Sequence, residues 1–408
     1  MDDLPAGLRA LAGRLTSASD LSEQFSAETD VLQVGRAIAI DAKHRVQLNP
    51  ANSIAWADLA LAHTTQGMND RAKQELRVAL SLAPENRFVL RAAARFYVHL
   101  GDPARANQIL NSTSRVLSDP WLLAAELSTS QLAFGRAGRI RQAREVAASQ
   151  QYSPRAVSEL LSELATGELH AGRDRRAREL FRASFVDPTE NAVAQAASFS
   201  AKANLDIAPG LLEVERGFEA RALDFARAGE WSRATTEATL WHSDQPFSLE
   251  PYHFASYTAA VGSADFSAAA RISQAGLRVH PHDRMLKNNA AYALANLGRV
   301  AEARHLIASP ETYTEREDFV ELATIGLIHF REGDVLGGAT RYERSIRGLT
   351  NLNHRNLAAM AAFHWALEEA RARSAGFGRA IQQARRLAPH LPAAERDTLN
   401  ARIEGFIA

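Results

Sequence analysis

Residues 53–86 read SIAWADLALAHTTQGMNDRAKQELRVALSLAPEN. Apolar and small residues recur at helical spacing on both sides of Gly67, so the stretch predicts two helices joined by a tight turn. Gly67 accepts a positive φ at little cost and ends the first helix. Ala72 and Ala79, on the facing side of the second helix, let the two helices approach closely. Trp56, Leu59 and Leu76 fill the remaining space, and Pro84 stops the second helix. Pro50 and Pro84 are 34 residues apart, and Trp56 follows Pro50 by six. One such hairpin cannot bury its own apolar face, so it predicts similar neighbours stacked against it. A period in this range is the mark of a solenoid.

The beat extends in both directions. In residues 87–118, Leu90 takes the bulky place, Tyr97 packs late on the first helix, Gly101-Asp102 makes the turn, and Ala106 and Leu110 face inward. Pro120 starts the next helix at Trp121, with Gly138 as the turn and Ala143 after it. Gly172 turns again, followed by Ala177 and Phe181, and Pro188 stops that pair. Residues 190–203 read as one helix, which Asn204, Pro209 and Gly210 break. The beat resumes with Gly229, Ala234 and a stop at Pro246, then with Tyr252, Asp265-Phe266, Ala269 and Pro281. Residues 284–317 carry Gly298 and Ala303 in phase; residues 319–350 carry Gly326, Gly333 and Tyr342. A last pair spans roughly 354–374 and 377–388, and residues 392–407 read as a closing amphipathic helix, since a terminal repeat would otherwise expose an apolar face.

Composition fits closely packed helices. Of 408 residues, 46% are hydrophobic, 23% charged and 7% aromatic, and alanine is abundant. The 47 basic and 47 acidic residues balance, which argues against a general polyanion binder. Lysine occurs only at Lys43, Lys73, Lys202 and Lys287; the bias to arginine fits a GC-rich bacterial genome and also supplies bidentate partners for carboxylates. With no cysteine there is no disulfide framework, thiolate metal site or cysteine nucleophile. The first residues lack the charged and apolar regions of a secretory signal, and no run approaches 18 apolar residues. A cytoplasmic protein is expected.

Trp56, Leu59, Gly67, Ala72, Leu76, Ala79 and Pro84 resemble the consensus of the tetratricopeptide repeat family, with Ala60 standing where that family often has glycine. The resemblance covers about residues 19–389, roughly nine repeats, and is firmest at 53–86, 87–118, 215–246 and 284–317. It implies an all-α fold: a right-handed superhelical solenoid of antiparallel helix–turn–helix hairpins, whose concave groove takes a protein or peptide. The expected organisation is a lead helix at 1–18, a first block of repeats at 19–203, a second at 204–389 and a capping helix at 390–408. The slip near 203–210 reads either as a joint or as an irregular turn. The implied function is a scaffold or adaptor within a multiprotein assembly, binding protein rather than catalysing a reaction. One subtype grips a terminal carboxylate with Lys and Asn from adjacent repeats. The groove places read Ala57 and Leu61, then Arg91 and Arg95, then Asn288 and Tyr292, so that clamp is not expected.

Arg91 and Arg95 share a helix face and could fork an acidic partner segment, or pair with Glu85 or another carboxylate of the chain itself. Asn288, Asn289 and Tyr292 offer amide hydrogen bonds and rigid contact area, or else cap and pack internally. Phe254 and Phe330 fall on the same inner stripe, either lining the groove or filling the core. His280-Pro281-His282-Asp283 resembles a metal cluster but lacks a further strong ligand at a known spacing, and reads as a loop between hairpins. The arginine-rich runs 135–144 and 172–180 are interleaved with Glu145, Asp174 and Glu179 and read as solvated outer surface. Aligned on one face they would support a different function: a regulator or sensor contacting nucleic acid or a small signal. Gly376-Phe377-Gly378 follows no strand and is not a nucleotide loop. No metalloprotease, nucleophile-elbow, phosphate-loop or paired-carboxylate motif occurs, so no catalytic, cofactor or metal residues are expected.

Overall fold

The computed structural model describes residues 27–245, 248–307 and 314–407, with residues 27–35 as backbone. All secondary structure among the described residues is helical. The chain divides into two compact units: one reaches to residue 223 and takes in 240–248, and the other comprises 224–239 and 249–408.

Unit 1 begins with α1 (Ala27–Leu48) and continues as hairpins: α2 (Ser53–Thr64) with α3 (Asn69–Leu82), α4 (Arg87–His99) with α5 (Pro103–Leu110), α6 (Pro120–Phe134) with α7 (Ile140–Ala148), and α8 (Pro154–His170) with α9 (Asp174–Ser184). The helix α10 (Glu190–Ala203) and the short α11 (Pro209–Leu212) follow. The helices α12 (Phe218–Ala228) and α13 (Trp231–Asp244) contribute residues to both units. Unit 2 pairs α14 (Glu250–Tyr257) with α15 (Phe266–Val279), α16 (Arg284–Asn296) with α17 (Val300–Leu306), α18 (Arg316–Arg331) with α19 (Val335–Asn351), and α20 (Arg355–Arg371) with α21 (Phe377–Leu387). It ends in α22 (Ala393–Ile407). The expected lead helix at 1–18 and the stop at Pro246 lie outside the described residues.

The turns follow from the sequence. Gly67, Gly101, Gly172, Gly229, Gly298 and Gly333 all take positive φ, between 72° and 86°. At Gly101, Gly172, Gly298 and Gly333 an added Cβ would meet nothing within 4 Å, so backbone conformation rather than crowding requires glycine there. In the third hairpin the left-handed residue is Gly135 (φ 68°), not the expected Gly138. Gly138 gives room instead, since a Cβ there would fall 2.8 Å from Glu126 Oε1. Other turns manage without glycine, among them Ala264 (φ 56°) ahead of α15, Asn353 (φ 62°) ahead of α20 and Arg373 (φ 49°) ahead of α21. Asn204 caps α10 in the left-handed conformation, which is the break expected after residue 203.

First helices of the hairpins start at side-chain caps. Asn52, Asn86, Asp119, Ser153 and Thr189 each accept from a backbone N–H in the first turn, at intervals of 34, 33, 34 and 36 residues. The small contact residues Ala72, Ala106, Ala143, Ala177, Ala234, Ala269 and Ala303 are completely buried. Trp56 is only half-buried; it packs between two core clusters while its Nε1 donates to Pro50 O at 2.8 Å.

Ion pairs stitch successive hairpins. In unit 1 Arg87 reaches Asp119. In unit 2 Arg284 reaches both Asp318 and Glu321, and Arg331 reaches Glu368. The C-terminal helix α22 buries Leu399 and Ile403 and packs on α20, but it also reaches back to the start of unit 2. Arg402 donates to the carbonyls of Ala260 and Gly262, where α14 ends in a π-helical turn, and Trp231 Nε1 donates to Thr398 Oγ1 at 2.8 Å. No helix among the described residues is long and apolar enough to cross a membrane.

Candidate functional site: a polar cleft in unit 1

One residue or pair from each of five alternate helices converges on a cleft of about 430 Å³ in unit 1. Arg91 comes from α4, Ser128 from α6, Glu159 and Glu163 from α8, Asn191 and Gln195 from α10, and Glu219 from α12. The pairs 159/163 and 191/195 are four apart, so each lies on one helix face, as Arg91 and Arg95 do. Small residues beneath, Ala124, Ala125 and Ala194, keep the floor low.

The polar groups form a chain. Arg91 donates to Glu159 Oε2 at 2.8 Å, and Asn191 Nδ2 donates to Glu159 Oε1 at 2.8 Å. The Arg91 guanidinium also stacks over the Trp121 ring at 5.1 Å. Its carboxylate is therefore Glu159, 68 residues on, and not Glu85. The Glu85 carboxylate instead accepts from Thr113, and its backbone carbonyl accepts from Arg115. Gln195 Nε2 donates to Thr166 Oγ1 at 2.9 Å.

Glu163 is the perturbed group of this site. Burial, reinforced by the Glu159 charge, pushes its carboxyl up to about 7, against the stabilising hydrogen bonds of Gln195 and Ser128. Arg95 is solvent-exposed along its side chain and yet densely surrounded by protein atoms. That crowding, then the neighbouring Arg91, lowers its pKa, while Asp244, Glu159 and Glu190 oppose the shift.

The other expected site residues lie in unit 2. Asn288, Asn289 and Tyr292 line a separate, apolar hollow. Phe254 is half-buried, and Phe330, 8% exposed, is in the core against Tyr342, with ring centroids 6.1 Å apart. Of the His280–Asp283 loop, Asp283 caps α16 through Leu286 N and pairs with His253 at 2.8 Å, while His280 packs edge-on to Tyr252. Among the described residues no group of three His, Cys, Asp or Glu side chains is placed to hold a metal ion. The arginine-rich runs converge on one carboxylate: Arg144 and Arg173 both donate to Glu168, with Arg176 3.9 Å away, while Arg141 and Arg175 pair with Glu145 and Glu179.

Glu159, Glu163, Asn191, Gln195 and Glu219 escaped the sequence reading. Their signal was the four-residue spacing on first helices, in hairpins whose consensus residues are too weak to mark which face is inner.

No protein-family profile matches the chain. No curated protein matches it either. Among solved structures the chain is similar to the crystal structure of yeast Tom70, at 12% identity over 92% of each chain and a TM-score of 0.35. At that identity and score nothing is transferred from that protein to this one.

Proposed function

We propose that the chain is a protein-binding scaffold of the tetratricopeptide type, in which a segment of a partner polypeptide lies along the polar cleft of unit 1 as part of a multiprotein assembly. The observation that carries this reading is the make-up of the cleft: one first helix per hairpin supplies its wall, so contacts repeat along a line, as a linear ligand requires. Its carboxamides and hydroxyls suit the N–H and C=O groups of an extended chain. Arg95 stands beside the cleft as a cationic contact. Arg91, held by Glu159 and Trp121, presents a rigid, already ordered face. Fixing such groups in advance lowers the entropy cost of binding.

Arg91 is committed to Glu159, and the carboxyl groups of Glu163 and Glu219 also line the cleft. The arginine ridges gain no support as a polyanion surface, because Glu168, Glu145 and Glu179 neutralise much of their charge.

Affinity purification from the source cell, with mass spectrometry, tests this reading. Ser198 is exposed and lines the cleft. Ser198→Trp fills the cleft and is expected to lose a polypeptide that the wild type retains, with helicity unchanged. Arg175→Trp on the outer surface is expected to retain it. Equal recovery by all three proteins would overturn the assignment.

A further inference from the structure

The hollow in unit 2 has the opposite chemistry. It measures about 150 Å³ and is bounded by α14, α16, α18, α19 and α20. Val261, Val320, Leu349, Leu357 and Met360 are among its apolar lining, and no Asp, Glu, Lys or Arg among the described residues lines it. Its titratable groups are kept neutral. Burial, helped by the Arg402 charge, pushes His364 down to about 3, and burial raises the Tyr257, Tyr292 and Tyr342 hydroxyls. Tyr292 and His364 satisfy each other, sharing a hydrogen bond of 3.2 Å between Oη and Nδ1.

One polar group in this wall is not satisfied. Asn288 is 7% exposed, and its Oδ1 is buried without a hydrogen-bond partner among the described residues. Its neighbour Asn289 differs, since its Nδ2 donates to Ser256 Oγ at 3.0 Å. Folded proteins rarely leave such a group unpaired, because its desolvation goes uncompensated. A carboxamide in the wall of a mainly apolar hollow is the arrangement that orients a ligand. Apolar cavities of about 150 Å³ accept a single six-membered ring. A charged ligand would lose its hydration with no counter-charge among the described lining residues to meet it.

We propose that this hollow is a binding site for a small, uncharged, mainly apolar molecule about one ring in size, carrying one hydrogen-bonding group that pairs with the Asn288 carboxamide. The site lies within unit 2 and does not depend on the reading of the unit 1 cleft.

The methionines make the test direct. The chain has four, and two of them, Met285 and Met360, line the hollow, whereas Met68 is exposed in unit 1. Full-length protein labelled at the methionine methyl carbons is titrated with phenol, toluene and benzoate and followed by NMR. Phenol and toluene are expected to shift the Met285 and Met360 signals saturably and leave Met68 unmoved, and benzoate to shift neither. In Asn288→Leu toluene binding is expected to persist, while the ratio of phenol to toluene affinity falls roughly three- to tenfold, the worth of one hydrogen bond. Three results would each overturn the proposal: no saturable shift with either neutral probe, benzoate binding as tightly as phenol, or an unchanged ratio in the variant. The wild-type titration decides the question even where the variant fails to fold.

Discussion

Replacing Gly338 by alanine sets two effects of known size against each other. Gly338 lies near the start of α19, where that helix crosses α18 at Gly326. Relieving a helix of glycine favours folding by about 1 kcal/mol. Against this, a Cβ on Gly338 would sit 2.5 Å from Phe330 Cδ2 and 2.9 Å from the carbonyl oxygen of Gly326. The oxygen belongs to helix backbone and cannot step aside cheaply, and Phe330 is locked in the core at 8% exposure. Overpacking of this kind costs about 1–3 kcal/mol. Steric cost wins because both colliding groups are rigid, and the net expectation is a loss of about 1–2 kcal/mol. For a unit of this size that lowers Tm by about 2–8 °C in a far-UV circular dichroism melt. Gly167→Ala is the control: it stands inside α8 with nothing within 4 Å of its added Cβ, so the same change is expected to raise Tm. Adding Phe330→Leu to Gly338→Ala should return part of the loss. If Gly338→Ala melts as high as the wild type or higher, α18 and α19 do not approach as described.

Ala72→Trp, at a completely buried contact between α2 and α3, is expected to cost at least about 1–3 kcal/mol by urea titration. Arg331→Leu leaves Glu368 buried without its arginine and should cost about 3–5 kcal/mol, while adding Glu368→Leu should recover most of that, which a double-mutant cycle measures. Glu163→Gln is expected to change how stability depends on pH. The unfolded carboxyl ionises near 4.5 and the folded one near 7, so the wild type loses stability as pH rises between those values. The variant has no such loss, and should gain on the wild type at pH 8 and match it at pH 4 in parallel urea titrations.

Hairpin turns were legible in the sequence because one atom decides them: only glycine takes positive φ freely, and six of the expected turn glycines do so. The buried alanines were legible for a similar reason, since they sit at fixed offsets from those glycines. Gly138 was misread because two glycines three residues apart serve different needs, conformation at Gly135 and space at Gly138. The reach of α22 back to Trp231 and Gly262 was not legible, since contacts over 140 residues depend on how the intervening hairpins curl. The Arg91–Glu159 pair was hidden likewise: sequence offers Glu85 as the near carboxylate, and stacking brings Glu159 closer. Which asparagine is paired, Asn289 rather than Asn288, depends on ångström-scale placement no periodicity encodes.

A photo-crosslinking residue at Gln195, on the cleft wall, compared with one at the outward Arg175, tests the central claim most directly. After irradiation in the source cell, a discrete polypeptide adduct is expected from position 195 and none from position 175. Adducts from position 175 alone, or the same adducts from both, would contradict it.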